Sequence, residues 1–205
     1  MKSTFVVTLA AIAGLTGTLA LAEDASSGSS AAAENMVTNV CQNCHGPHGD
    51  SVLSTFPRLN GQQADYIVSQ LKNFREHSRA DPHARAYMWG MASQLDDATI
   101  DALGKYFAAQ KPANPQSGGT LAAEGKNIFM NGAEAQNVPA CNACHGDHGE
   151  GNSVIPRLAG QHADYLKGQM EAFRSTLRES DVMHANTKDM TDRQIEALVS
   201  YLAND

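Results

Sequence analysis

Basic residues are in deficit. Fifteen Lys and Arg against 22 Asp and Glu leave a formal charge of −7, and a chain so short of cations cannot neutralise a phosphate backbone, which excludes nucleic acid as a partner. The acidic residues are spread over both halves rather than gathered in a tail; they read as a solvated surface that can also steer a basic partner. Beyond residue 22 no apolar run is long enough to span a bilayer. Alternation of apolar and polar residues is almost absent, so strands are not expected, and no strand–helix–strand pattern surrounds a cysteine, which removes the thioredoxin-type redox disulfide. Cysteine is rare as well, with four in 205 residues.

All four cysteines fall in two copies of one pattern, Cys41-Gln42-Asn43-Cys44-His45 and Cys141-Asn142-Ala143-Cys144-His145. Two thiols separated by two residues can both add to the vinyl groups of one porphyrin, and the adjacent histidine then reaches the iron from the same side. A structural zinc site would need both pairs to converge on one metal. Here each pair has its own histidine, and the pairs lie 100 residues apart, at 41 and 141. The expected cofactors are therefore two covalently bound haem c groups, tethered by Cys41, Cys44, Cys141 and Cys144, with His45 and His145 as iron ligands.

The start of the chain agrees with that chemistry. Lys2 precedes an apolar run from Phe5 to Ala22 that closes on the small-residue site Ala20-Leu21-Ala22, the layout of a cleaved secretory signal peptide over residues 1–22. An uncleaved anchor is the competing reading, but the run is short and broken by Thr8, Gly14, Thr16, Gly17 and Thr18. The mature chain is expected to begin at Glu23, and loss of Lys2 takes its formal charge from −7 to −8. Haem attachment by this motif takes place outside the bacterial cytoplasm, so the expected location is periplasmic.

The chain is an internal duplication. Pro57-Arg58-Leu59-Asn60-Gly61-Gln62 recurs as Pro156-Arg157-Leu158-Ala159-Gly160-Gln161, and the match continues through Asp65/Asp164, Tyr66/Tyr165, Gln70/Gln169, Phe74/Phe173 and Arg75/Arg174. Ile100-Asp101-Ala102-Leu103 then recurs as Ile195-Glu196-Ala197-Leu198 after a few residues have been lost. A Pro/Gly/Ser-rich stretch without apolar period separates the copies. The expected organisation is an N-terminal domain over 23–110, a linker over 111–120 and a C-terminal domain over 121–205. Domains of this size bury too little protein surface to be more than marginally stable, so the porphyrin should be part of each core.

Both copies carry helical periodicity. Ile67, Leu71 and Phe74 fall on one face, mirrored by Leu166, Met170 and Phe173; Ile100, Leu103 and Phe107 do the same, mirrored by Ile195, Leu198 and Leu202. Thr191 and Gln194 form a capping-box pattern, with Asp96 as the matching N-cap. A further helix is expected before each haem motif, around Ala32 to Val40 and around Leu121 to Phe129. The fold class is all-α, with two tandem domains related by duplication.

The sixth iron ligand sets the chemistry, since methionine, a second histidine or an open position mean different potentials and reactivities. Met88 and Met91 stand between the middle and last helices of the first half, Met183 and Met190 in the same place of the second. Met88 and Met183 are counterparts, both twelve residues before the paired isoleucines, whereas Met91 faces Asn186 and Met190 faces Leu95. A role held in both halves selects Met88 and Met183, although a methionine near a helix start also commonly just packs in the core. His48 and His148 also match, but they lie three residues after the proximal histidine and should be exposed; His77, His83, His162 and His184 have no histidine counterpart.

Two Cys-x-x-Cys-His domains of near-equal size, each with Pro-Arg-Leu-x-Gly-Gln after the motif and a methionine before an Ile-x-Ala-Leu helix, resemble the dihaem cytochrome c4 family. The resemblance covers essentially the whole mature chain. It implies two class I cytochrome c domains packed about a pseudo-twofold axis, haem propionates near the interface, and iron ligands at His45 with Met88 and at His145 with Met183. It also implies that the carbonyls of Pro57 and Pro156 accept a hydrogen bond from the proximal histidines. The implied activity is single-electron transfer and no catalysis. The expected partners are a terminal oxidase downstream and a quinol-oxidising complex, small copper protein or cytochrome upstream, with peripheral membrane association compatible. The alternatives are a dihaem subunit of a periplasmic dehydrogenase and a dihaem peroxidase-type enzyme, the latter needing a displaceable iron ligand. Two finer expectations remain: one or both of Arg58 and Arg157 pair with haem propionates, the alternative being ordinary exposed arginines, and the unequal spacing from histidine to methionine (45 to 88 against 145 to 183), with Trp89 beside Met88 alone, makes the two midpoint potentials unequal.

Overall fold

The computed structural model describes residue 28, residues 30–116 and residues 119–203; the signal peptide and the start at Glu23 lie outside them. The described chain is helical, with only isolated bridges of strand type, such as Ala133 with Val138. In the first domain, helix α1 begins over 30–36, loosens into a π-helical turn at Val37–Cys41 and tightens again over Gln42–His45, so the helix expected before the motif runs directly into it. Helix α2 follows at Ala64–Arg75, α3 spans a π-helical stretch Ala84–Met88 and Trp89–Ala92, and α4 is Asp97–Ala108. The second domain has α5 at Gly119–Asn131, α6 at Asn142–His145, α7 at Ala163–Arg174, α8 at Asp181–Thr187 and α9 at Asp192–Leu202. Here the pre-motif helix stops ten residues before Cys141, and a loop closed by the Ala133–Val138 bridge intervenes.

The apolar stripes meet as their periodicity requires. Ile67 and Phe74 of α2 pack with Ile100, Leu103 and Phe107 of α4, and Leu166, Ile195, Leu198 and Leu202 pack with Ile128 and Phe129. Ile100, Leu103, Phe129 and Ile195 are essentially fully buried. Each such side chain stabilises its domain by about 1.5–3 kcal/mol relative to exposure. Close crossing of α5 over α9 depends on a missing side chain: a Cβ on Gly125 would lie 1.9 Å from the Ala197 carbonyl oxygen.

The segment before α4 and α9 is pinned identically in both copies. Asp96 accepts the Thr99 N–H at 2.7 Å, and Thr191 and Gln194 form a complete capping box. Arg75 at the end of α2 donates to the Leu95 carbonyl and to Asp97, each at 2.8 Å. Arg174 repeats this with Met190 O at 3.1 Å and Asp192 at 2.7 Å. These bonds close the loop that carries Met88 or Met183 onto its domain.

The two domains meet reciprocally. Gln161 grips the backbone of Arg58, accepting its N–H at 2.8 Å and donating to its carbonyl at 2.9 Å. Gln62 grips Arg157 in the same way, at 2.7 and 2.9 Å. When residue i of one copy meets residue j of the other and the reverse also holds, the copies are related by a twofold axis, here a pseudo-twofold. Residues 111–116, in the stretch expected as a linker, are strapped along this seam. Asn60 donates to the Lys111 carbonyl at 2.8 Å and the Gln116 N–H to Ala203 O at 2.9 Å.

Behind the seam lies a second reciprocal contact. Arg79 donates to Gln70 of its own domain at 2.9 Å and to Gln169 and Tyr165 of the other at 2.8 and 3.3 Å. Arg178 donates to Gln169 of its own domain and to Tyr66 and Gln70 of the other, the latter two at 2.9 Å. Each guanidinium also lies over a phenylalanine, Arg79 on Phe74 and Arg178 on Phe173, 4.8 and 4.5 Å from the ring centres. The symmetry breaks at Asp81, which pairs with Arg79 at 2.8 Å and is the sole buried acidic side chain among the described residues.

Candidate haem sites

The first cysteine pair is presented by the last turns of α1 and the second by the short helix α6. A turn of helix places the first thiol, the second thiol and the histidine on neighbouring positions, with Cys41 and Cys141 half-buried against their cores and Cys44 and Cys144 exposed. Burial pushes the thiols of Cys41 and Cys141 up to about 11 in the chain alone.

His45 and His145 are buried, and their rings are fixed by the backbone. His45 Nδ1 lies 2.8 Å from the Pro57 carbonyl and His145 Nδ1 3.0 Å from the Pro156 carbonyl, as the family resemblance implies. A carbonyl can only accept, so Nδ1 carries the proton and the Nε2 lone pair is left for a metal. Burial lowers the pKa of both histidines and outweighs the opposing effect of that hydrogen bond, which favours the neutral, ligating form. The loops that bring the prolines to the rings turn at Gly46 and Gly146, both at positive φ.

The four candidate methionines separate by burial. Met91 is 54% exposed and Met190 is 5% exposed inside the second core, whereas Met88 and Met183 are half-buried. Met88 and Cys41 pack against the same core, and rings connect their surroundings: His45 to Phe56 at 6.1 Å and Phe56 to Tyr87 at 5.3 Å, both edge to face. Met183 sits in the first turn of α8, capped by Ser180. In each half a thiol pair able to tether a porphyrin, an imidazole held neutral and a half-buried thioether are the groups that haem c takes.

The remaining histidines are used differently. His48 and His148 are exposed, His48 meeting the Tyr106 hydroxyl at 3.1 Å. His77 is exposed and stacks on Trp89 at 4.0 Å, and His83 is exposed. His184 meets the Phe173 carbonyl, and buried His162 crosses the seam to Ser51 O at 2.9 Å. Arg58 and Arg157 are not exposed arginines. Arg58 donates across the seam to the Gly160 carbonyl at 3.0 Å, and Arg157 to the Ala159 carbonyl of its own domain at 3.0 Å.

Sequence reasoning missed the residues that join the domains. Gln62 and Gln161 stood in the repeated Pro-Arg-Leu-x-Gly-Gln stretch, Gln70 and Gln169 were noted as a matching pair, and Arg79 and Arg178 recur at the same spacing. Repetition marked them as retained without saying that they meet one another.

Residues 30–111 and 122–204 each match the Cytochrome c family model. Over a 207-residue alignment the chain is 33% identical to cytochrome c4 of Azotobacter vinelandii, covering 96% of either chain. The solved cytochrome c4 of Acidithiobacillus ferrooxidans superposes at a TM-score of 0.75 with 41% identity, over 79% of this chain and 96% of that one. The chain belongs to the dihaem cytochrome c4 family. As a member it carries two covalently bound haem c groups and is an electron-carrying cytochrome. It is also 34% identical over 171 residues to a thiosulfate dehydrogenase electron acceptor of Thiomonas intermedia, covering 80% of this chain and 77% of that one. No helix among the described residues is long and apolar enough to cross a membrane.

Proposed function

We propose that Cys41 and Cys44 hold one haem and Cys141 and Cys144 the other, with His45 and Met88, and His145 and Met183, as the axial ligands. Bound in this way, each haem supplies a low-spin iron that changes by one electron, and a neutral thioether opposite imidazole favours the ferrous state and a high potential. The observation that carries the reading is the repeated pair of a ring locked with its Nε2 lone pair free and a half-buried methionine on a separate helix. With both axial positions taken, nothing would be left for a substrate, so the chain would be a carrier and not an enzyme. The protein's own contribution is to fix ring orientation, exclude water from the cores and hold the two domains in one register.

In the cell this cytochrome would act in the periplasm. It would take electrons from a quinol-oxidising complex, a small copper protein or another cytochrome and pass them toward a terminal oxidase. A second reading, in which a periplasmic dehydrogenase is the donor, is favoured by the similarity to a thiosulfate dehydrogenase electron acceptor. Unequal loops and Trp89 make the two midpoints unequal on this proposal. Anaerobic redox titration with optical detection tests it. Two low-spin haems with the far-red methionine-to-ferric-iron band and no response to carbon monoxide are expected; Met88→Ala and Met183→Ala should each remove about half of that band. A carbon monoxide-binding haem in the unaltered protein would refute the ligation.

A further inference from the structure

The bonds at the proximal histidines continue across the seam into the other domain. Pro57 O accepts from His45 Nδ1, and the same peptide group carries the Arg58 N–H, which donates to Gln161 Oε1 at 2.8 Å. Pro156 O accepts from His145 Nδ1, and its peptide carries the Arg157 N–H, which donates to Gln62 Oε1 at 2.7 Å. Gln62 and Gln161 are 7% and 6% exposed, so water does not compete freely for these oxygens.

We infer that each glutamine sets the donor strength of the other domain's proximal histidine: Gln161 tunes the haem held by His45, and Gln62 tunes the haem held by His145. A peptide group whose N–H is drawn to an acceptor gains negative charge on its carbonyl oxygen. That oxygen then binds the imidazole N–H more strongly, by an increment of about 10–30% per linked bond. A histidine whose Nδ1–H is pulled harder is a stronger donor to iron, which stabilises the ferric state and lowers the potential. Each amide is held by more than this one bond. Gln161 Oε1 also accepts the His162 N–H at 3.0 Å and Gln62 Oε1 the Gln63 N–H at 2.9 Å, while both Nε2 groups donate to the gripped residue's carbonyl. The glutamines are thus rigid positioning residues. They link the two ligand spheres through the docked interface, so separation of the domains would change both potentials at once.

The inference rests on ligation by His45 and His145. Its test is a crossed pair of substitutions in the intact dihaem protein, Gln161→Met and Gln62→Met, which keep side-chain length and remove both amide atoms. Each haem's midpoint is followed by NMR, with the first-domain haem assigned by the resonances that Met88→Ala removes. Gln161→Met is expected to raise the first-domain haem by about threefold in its reduction constant, roughly 30 mV at 59 mV per decade, and to move the second-domain haem by less than half as much. Gln62→Met is expected to do the reverse. Gln161→Glu retains the acceptor oxygen and charges it, so it is expected to lower the first-domain haem, and it carries the test if the methionine variant does not fold. Shifts confined to the substituted residue's own domain, equal shifts of both haems, or no shift would overturn the inference. Failure of the ligation reading would look different: the unaltered protein would lack two low-spin haems.

Discussion

Asp81→Asn removes the only carboxylate buried among the described residues, in a seam that holds two buried guanidinium groups. Asp81 and Arg79 are 2% and 8% exposed and 2.8 Å apart, and Arg178 is 7% exposed close by. Burial alone would raise the Asp81 pKa, yet Arg79 and Arg178 outweigh it and hold the carboxyl below its ordinary range. Tyr66 responds to the same field: burial raises it, but Arg178 and Arg79 together bring it down. Taking one partner out of a buried ion pair leaves the other charge uncompensated and costs about 3–5 kcal/mol. Asparagine keeps a hydrogen-bond acceptor, so the loss should fall near 3 kcal/mol. With a urea dependence of about 2 kcal/mol per molar, the unfolding midpoint should drop by roughly 1.5 M. Trp89 fluorescence is the natural probe, because its indole N–H donates to the Arg79 carbonyl at 2.8 Å. The double variant Asp81→Asn with Arg79→Met should lose less than the sum of its parts, since the orphaned charge is gone. A midpoint change under about 0.5 M, about 1 kcal/mol on the same slope, would refute the reasoning.

The same carboxylate predicts an acid limit. Its folded pKa is depressed, so its contribution is fully present above the unfolded value near 3.9 and is lost as pH falls through the lower folded value; urea midpoints at pH 5, 4 and 3 should therefore fall more steeply in the unaltered protein than in Asp81→Asn. Gly125→Ala would place a methyl 1.9 Å from the Ala197 carbonyl and force α5 off α9, at a cost of about 1–3 kcal/mol. Loss of helicity by circular dichroism should then precede the Trp89 transition, because only the second domain is strained. Thr191→Ala removes the side chain that accepts the Gln194 N–H at 3.2 Å, and thermal unfolding should report a loss of about 1 kcal/mol.

The helices and their caps were legible because they are local. Asp96 and the Thr191/Gln194 box act over three residues, and the stripes through Ile67 and Phe74 or Ile195 and Leu202 follow from the helical repeat alone. The haem motif was legible for the same reason, as a covalent spacing. Choice among the four methionines needed the duplication, and the structure adds that Met91 is exposed and Met190 is core. That Arg58 reaches across the seam to the Gly160 carbonyl was not legible, because the direction of a long side chain depends on what the finished fold places beside it.

By itself the amino-acid sequence determined the two Cys-x-x-Cys-His motifs, the all-α class and the duplicated pair of domains, since each rests on spacings within a few turns of chain or on comparison of one half with the other. Only the tertiary structure decided that Gln62 and Gln161 clasp the opposite domain's backbone and that Asp81 serves two arginines from different domains. The two glutamine clasps join residues 95 and 103 positions apart. Their partners are chosen by how two finished surfaces fit, and no local pattern carries that information.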